Sequence, residues 1–361
     1  MGDPDTLTGG YLYHRRLAEL APRHNARLVF ASLPVKPFPF PVLYGPRLLR
    51  ALSAQRPDVV VLDSIAAAFF APWTAAVRVP VLVMAHQPPG GIDHGPVRRY
   101  VQTVMDRAAY RQVERVLVAS QLLADQFGGH GFADRLLVIA PGRDVASAPA
   151  GQRQDLRGDA RAALLCVGNW VARKGILQAL DAVARLPAGL ARLHLVGDDR
   201  PEPAYAARVR RRLARADVAG RVKYHGRLSR PEVAALYRDA DVFVLPSLRE
   251  PYGTVYGEAM AAGLPVVGWR AGNLPYLAGH EREGLLAEPG DQAGLVAALR
   301  RLAEDEELRT RLGAAAGQRA ATFPTWEQTA GRFFAAVREA ADRTAARPLA
   351  ETGVTRRKGE I

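Results

Sequence analysis

Short apolar runs alternate along this chain with longer stretches whose apolar positions recur every three or four residues. The short runs fall at 27–31, 59–62, 81–84, 115–119 and 136–139, then again at 163–167, 194–196, 222–224, 242–245 and 265–267. Each reads as a short strand. Between them lie helical periods; in the first, Tyr13, Leu17 and Leu20 share one face. Later helices are predicted at 174–185, 205–216, 230–238, 255–262, 292–304 and 308–321, with a last amphipathic one at 326–343. Strand and helix in alternation predict parallel βαβ units, hence a doubly wound α/β fold. The alternation breaks at 141–161 (PGRDVASAPAGQRQDLRGDAR), which is polar, Gly-bearing and weakly patterned, and reads as a linker. Two domains follow, 1–147 and 148–325, then a helix at 326–344 and a tail at 345–361 read as disordered.

A doubly wound domain opens on a central strand, then a Gly-rich turn, then a helix. This sequence shows the turn, Thr8, Gly9 and Gly10, with no strand-like run before it. The expectation is that the sequence begins inside its first βα unit. The first sheet would then lack its first strand and leave hydrogen-bonding edges open.

Composition narrows the class of partner. The 361 residues, 48% hydrophobic and 24% charged, suit one large or two ordinary soluble domains with sizeable cores. Lysine and arginine number 49 against 36 aspartates and glutamates, a net charge of +13. That balance favours phosphates, nucleic acid or an acidic membrane surface. The densest cluster is Arg208, Arg210, Arg211, Arg212 and Arg215. Its helical spacing reads first as a solvated face and second as a membrane or nucleic-acid patch. Aromatic residues do not interleave with it, which argues against nucleic acid. Cys166, the one cysteine, stands in an apolar run, so there is no disulfide framework and it reads as a small buried hydrophobe. No apolar run has the length of a transmembrane helix, and MGDPDTLTGG has neither the basic start nor the apolar core of a signal peptide. The expected compartment is the cytoplasm, either free or peripheral to the inner face of the membrane.

One stretch, 248–268 (LREPYGTVYGEAMAAGLPVVG), concentrates candidate chemistry. It reads as loop, helix and strand, with Glu250 in the loop and Glu258 in the helix. Gly253, having no Cβ, lets backbone approach a ligand. The amides of Thr254, Val255 and Tyr256 are expected to be the unpaired donors of a helix start, where the helix dipole also favours an anion. Carboxylates on both sides of an anion site suit a nucleotide sugar, which has hydroxyls on either side of a diphosphate. The bland alternative is two solvated glutamates. His86 ends an apolar run, at the end of a parallel strand where doubly wound sheets bind ligands; a structural strand-end histidine is the alternative. Asp93 and His94, in the Gly-rich loop that follows, are candidates for acceptor contact or are merely solvated. Asp239-Ala240-Asp241 matches an Asp-x-Asp metal pattern, but it falls at a helix-to-strand junction where a carboxylate caps or bonds backbone. Ser229 and Glu232 form a capping box. Zinc-ligand spacing, a nucleophile elbow, a P-loop and a G-x-G-x-x-G fingerprint are all missing, so no metal and no cofactor are expected.

In this order, VGNWVARKG (167–175), LHLVG (193–197), VKYHGRLSRPEVAALYRDADVFVLPS (222–247) and EPYGTVYGEAMAAGLPVVG (250–268) resemble the GT-B glycosyltransferases. The closest resemblance is to the large retaining family 4, the glycosyl transferases group 1, over roughly 8–338. The pair Glu250 and Glu258 matches that family's hallmark. The resemblance implies two Rossmann-like domains facing a central cleft, acceptor on the N-terminal side and donor on the C-terminal side, with the last helix crossing back. It implies that Lys174 neutralises the donor diphosphate, that Glu258 accepts from the ribose and that Glu250 holds the donor sugar. His86 would contact that sugar near the reacting centre, which makes His86, Lys174 and Glu250 the candidate catalytic set. Backbone at Arg227 and Leu228 would bracket the base, the amides of Gly9 and Gly10 would meet diphosphate or acceptor, and Tyr252, Gly253, Thr254 and Val255 would line the donor. Where the family has an arginine, this chain has Asn169, so a second cation falls to Arg173 or to Arg143. Asn273 and Tyr276 replace a second glycine and a glutamate common in the family, which bears on donor identity.

The expected function is metal-independent, retaining transfer of a sugar from a nucleotide diphosphate sugar to an acceptor hydroxyl. The nucleotide sugar is a co-substrate, the acceptor a small molecule, lipid or glycan, and no nucleic acid is involved. The alternatives are a catalytically inactive nucleotide-sugar-binding subunit, and a GT-B phosphorylase or synthase using sugar phosphates.

Overall fold

The computed structural model describes residues 9–34, 36–129, 131–143 and 153–346. Its frame is two parallel sheets. The first runs β1 (Val60–Asp63), β2 (Val81–Ala85), β3 (Arg115–Val118) and β4 (Leu136–Val138), in that spatial order. The second contains β5 (Ala162–Val167), β6 (Ala191–Val196), β7 (Val222–Tyr224), β8 (Val242–Val244), β9 (Val266–Trp269) and β10 (Gly284–Ala287), ordered β10-β9-β8-β5-β6-β7. Every residue of β2, β8 and β9 is buried. That is the signature of parallel strands covered by helices on both faces, and it is why these runs carry no polar alternation.

In the first domain the helices are α1 (Gly9–Leu20), α2 (Gly45–Gln55), α3 (Ser64–Phe70), α4 (Pro96–Arg111) and α5 (Gln121–Gly128). The second has α6 (Ile176–Arg185), α7 (Pro203–Leu213), α8 (Arg230–Asp239), α9 (Thr254–Ala261), α10 (Leu274–Leu277), α11 (Gln292–Glu304) and α12 (Glu306–Ala321). The last helix, α13 (Trp326–Ala346), buries Trp326, Phe333 and Phe334 in the core of the first domain, beside Tyr13 and Ile139. It therefore crosses back. At the crossing, Arg143 forms an isolated β-bridge with Thr325. No helix among the described residues is long and apolar enough to span a membrane.

Two expectations change. The run 27–31 forms no strand and joins neither sheet, and Val29 and Phe30 stand exposed. A strand exists only where a neighbour takes its backbone groups. Strand β1 is an edge of its sheet, and none of the described chain pairs with 27–31. The helix expected from 174 begins at Ile176, after a 3-10 turn over Ala172–Lys174. The cause is Gly175, whose φ of 71° breaks the turn from the helix. The arginine cluster carries carboxylate partners: Arg210 pairs with Asp199, and Arg212 with Asp181 and Asp217, so it is a solvated, partly neutralised face. Thr8, the middle of the linker and the end of the tail lie outside the described residues.

Candidate functional site

In the second sheet, strand order reverses between β5 and β8: the chain leaves β5 toward β6 on one side and leaves β8 toward β9 on the other. Loops diverging from the C-terminal ends of such a pair leave a crevice that binds ligands. The loop after β5 carries Asn169, Arg173 and Lys174; the loop after β8 carries Glu250, Tyr252 and Gly253. The two are tied together, since the Leu248 amide and the Ser247 hydroxyl both donate to the Arg173 carbonyl, at 2.8 and 3.1 Å. Gly175 lets them meet: a Cβ there would stand 2.1 Å from the Pro246 carbonyl oxygen. Lys174 Nζ donates to Glu250 Oε2 in a short ion pair, and Arg173 Nη1 lies 3.8 Å from the same oxygen. Of the two candidate second cations, Arg173 is the one beside Lys174. Arg143 is engaged at the helix crossing, where its Nε donates to the Phe323 carbonyl at 3.3 Å.

Helix α9 starts under the Glu250 loop. Gly253, at φ 86°, supplies no side-chain cap, so the first-turn amides of Thr254 and Val255 carry none. The Tyr256 amide, expected to be free, donates to the Gly253 carbonyl at 3.0 Å, because the turn closes one residue earlier than the sequence suggested. Farther along the same helix, Glu258 Oε2 accepts from Tyr237 Oη at 3.2 Å and Glu258 Oε1 lies 3.6 Å from Arg230 Nη2. Between β7 and α8, Arg227 is exposed, 3.9 Å from Asp198, while Leu228 packs on the core. Asn169 Oδ1 accepts from the Asp198 amide at 3.3 Å. Asp198 thus links Asn169 to Arg227. Ser229 and Glu232 form the expected capping box. Asp241 accepts from the Ala163 amide and pairs with Arg157, and Asp239 pairs with Arg238, so both carboxylates of the Asp-x-Asp pattern hold backbone and arginine. Burial pushes the Cys166 thiol up to about 12.

The opposite wall belongs to the first domain. His86 ends β2, and the start of α1 lies against it: a Cβ on Gly10 would be 3.7 Å from the imidazole, with Gly9 one residue before. Two residues that the sequence reading missed complete this wall. His14 Nε2 lies 3.3 Å from His86 Nε2 and 2.6 Å from Asp63 Oδ2. Asp63 ends β1, so the strand-end rule that singled out His86 would have found it. Burial lowers the His86 imidazole to about 4, which keeps it neutral near pH 7. Burial alone would raise Asp63; the hydrogen bond from His14 and the adjoining imidazoles outweigh it and bring the carboxyl down to about 2. Among the described residues these three are the one group with ligand atoms close enough for a metal. The 2.6 Å contact is a hydrogen-bond length, well short of the roughly 3.3 Å edge that metal bonds of about 2.0 Å would set.

The walls also touch. Asp93 pairs with Arg173 at 3.0 Å, Arg249 donates to the Ile92 carbonyl at 2.9 Å, and Ser120 donates to the Pro251 carbonyl at 2.6 Å. Tyr252 Oη donates to the Pro141 carbonyl at 3.0 Å, and Tyr276 Oη to Asp125 at 2.6 Å. Asn273 has a local use: its amide donates to the Glu250 carbonyl at 2.8 Å and its Nδ2 to the Tyr252 carbonyl at 2.7 Å. It braces the Glu250 loop from behind.

Residues 152–319 match the family model for glycosyl transferases group 1, and residues 6–142 match that for the glycosyl transferase 4-like domain. The chain belongs to the GT-B glycosyltransferases of group 1. Solved structures with this fold include sucrose-phosphate synthase from Thermosynechococcus elongatus, at TM-score 0.78 and 21% identity over 94% of this chain and 96% of that one. HepE from Anabaena, in complex with UDP and glucose, has TM-score 0.78 and 22% identity over 94% of this chain and 97% of its own. Among curated relatives, the D-inositol 3-phosphate glycosyltransferase of Corynebacterium efficiens is 31% identical over 57% of this chain and 51% of its own length. The glycogen synthase of Mycobacterium tuberculosis is 32% identical over 65% of this chain and 56% of its own. The group 1 chain described here therefore spans about half the length of these relatives.

Proposed function

We propose that this protein transfers a sugar from a nucleoside diphosphate sugar to an acceptor hydroxyl, with retention and without a metal. The observation that carries the reading is the meeting of Lys174 and Arg173 on Glu250 at the switch point, beside the uncapped start of α9. Arriving diphosphate takes the two cations, and Glu250 is released to accept from hydroxyls of the donor sugar; a carboxylate can accept from two at once. Glu258 accepts from the ribose. The α9 amides and the two cations stabilise charge as it develops on the leaving diphosphate, which is electrostatic preorganisation. The acceptor oxygen bonds to the anomeric carbon, the bond from that carbon to the phosphate oxygen breaks, and the acceptor proton passes to the leaving phosphate. His86, neutral near pH 7, positions the sugar by hydrogen bonding. HepE, a neighbour in fold, is described with UDP-glucose, which makes UDP-glucose the first donor to try.

The test is a thermal-shift screen against UDP-, GDP-, ADP- and dTDP-sugars, followed by turnover of the best donor. Ligand that binds the folded state raises its melting temperature. Lys174→Ala and Glu258→Ala are expected to reduce donor binding and to lower turnover at least about 100-fold, the scale of one lost transition-state contact. Full transfer by both variants would overturn the site. Donor binding with neither transfer nor hydrolysis would instead favour a nucleotide-sugar-binding subunit.

A further inference from the structure

Helix α4 faces the wrong way for a helix of a soluble domain. Its inward side carries Gln102 and Asp106, each 2% exposed, with Ala109 and Tyr110. Its outward side carries Val97 at 77% exposure, Tyr100 at 73%, Val104 at 53% and Val101 at 38%. These four recur at helical spacing, so they form one apolar stripe on the surface. The stripe continues onto the segment before α2, where Phe40 and Leu43 are exposed. The two pieces adjoin, since the Arg98 guanidinium lies 5.2 Å from the centre of the Phe38 ring.

The two segments that carry the stripe hold mostly positive charge. From Lys36 to Arg56 the sequence carries Lys36, Arg47, Arg50 and Arg56 and no carboxylate. Helix α4 adds exposed Arg98 and Arg99, and its one carboxylate, Asp106, is turned inward to accept from the Gly90 amide. Arg47, Arg50, Arg98 and Arg99 have no ion-pair partner among the described residues. The cluster on α7 differs, because its Arg210 and Arg212 meet aspartates of their own domain. The exposed acid nearest α4, Asp93 in the loop before it, is paired with Arg173; an apolar stripe bordered by unpaired cations is not self-complementary, since a symmetric dimer through it would press like charges together. It does complement a bilayer surface, where anionic headgroups meet arginines and apolar side chains enter the acyl boundary.

We propose that α4 and the 36–44 segment form a docking face for an anionic lipid surface. The loop that carries His86 and Asp93 runs directly into α4, so docking would bring the mouth of the cleft to the membrane. That consequence suits an acceptor held in the bilayer and rests on the transferase reading; the docking itself does not.

The experiment sediments the full chain with vesicles of phosphatidylcholine alone or mixed with phosphatidylglycerol, with no donor or acceptor present. Failure of docking and failure of the transferase reading are then separate results. Expected is binding to the mixed vesicles, weakened by salt, and little to phosphatidylcholine alone. Arg98→Gln with Arg99→Gln should weaken partitioning about 25-fold, at about fivefold per cation near such a surface. Val97→Ser with Val104→Ser should weaken it too, and because these side chains are exposed the melting temperature should hold. The proposal is overturned if the protein ignores anionic vesicles, or if both variants bind as the unaltered chain does. It is also overturned if the chain is a dimer that the two serine substitutions convert to a monomer with no vesicle binding.

Discussion

Asp106 is a carboxyl group turned into the protein from a helix whose valines face solvent. One of its oxygens takes the Gly90 amide and the other has no partner among the described residues. Burial raises it to about 7. Between the ordinary carboxyl value near 4 and about 7, the folded chain holds a proton that the unfolded chain has lost. Its contribution to stability is therefore full at low pH and declines as pH rises through that window. The loss amounts to about 2–3 kcal/mol between pH 5 and 8 at about 1.4 kcal/mol per pH unit. Asp106→Asn should remove this slope, so urea midpoints of variant and unaltered chain should differ more at pH 8 than at pH 5. An equal difference at both would sink the assignment. His86 acts in the opposite sense, since an imidazole lowered to about 4 costs stability as pH falls from about 6.5 toward 4. Comparing the two chains at each pH cancels that background. Glu250, Glu258 and His86 stood out as candidates in the sequence by their place near a glycine turn or a strand end, and Lys174 through the family resemblance. The partnership of His14 with Asp63 was not, because the two lie 49 positions apart and only folding joins them.

At the scale of elements, the turn that presents Lys174 depends on one backbone conformation. Gly175→Ala would put a methyl group against the Pro246 carbonyl and force a side chain into left-handed φ. The expected cost is at least about 2 kcal/mol. Donor binding should weaken as well, because the displaced turn carries both cations; calorimetric melting together with a UDP-sugar titration would read both effects. Normal donor affinity in a destabilised variant would separate the turn from the site. Most of the buried strands were predictable because parallel strands read as unbroken apolar runs; β10, buried throughout, was not predicted. The run 27–31 had the same pattern and joined no sheet, since pattern reports what can be buried and a ladder requires a partner. A helical stretch was expected between 81–84 and 115–119, but the pattern gave no hint that the apolar stripe of α4 faces outward.

Across the whole molecule, the last helix belongs to the first domain by packing and follows the second in sequence. Phe334→Ala should cost about 3–5 kcal/mol, typical of a phenylalanine deleted from a core. The loss should fall on the first domain, so hydrogen exchange would rise in β2 and β3 before β5 or β8. A uniform rise would mean that the two domains unfold as one unit. The walls of the cleft meet through Asp93 and Arg173, Tyr276 and Asp125, and Arg249 and the Ile92 carbonyl, contacts between residues far apart in the chain. The sequence by itself determined the two parallel-sheet domains and the placing of Glu250 in a loop and Glu258 on the helix that follows it, because each depends on a local period or a short spacing. Only the tertiary structure decided which cation joins Lys174, that Asp63 and His14 support His86, and that a basic apolar helix faces solvent. Those depend on which surfaces meet, and the free energy of such contacts is set by burial and partners that no local pattern encodes.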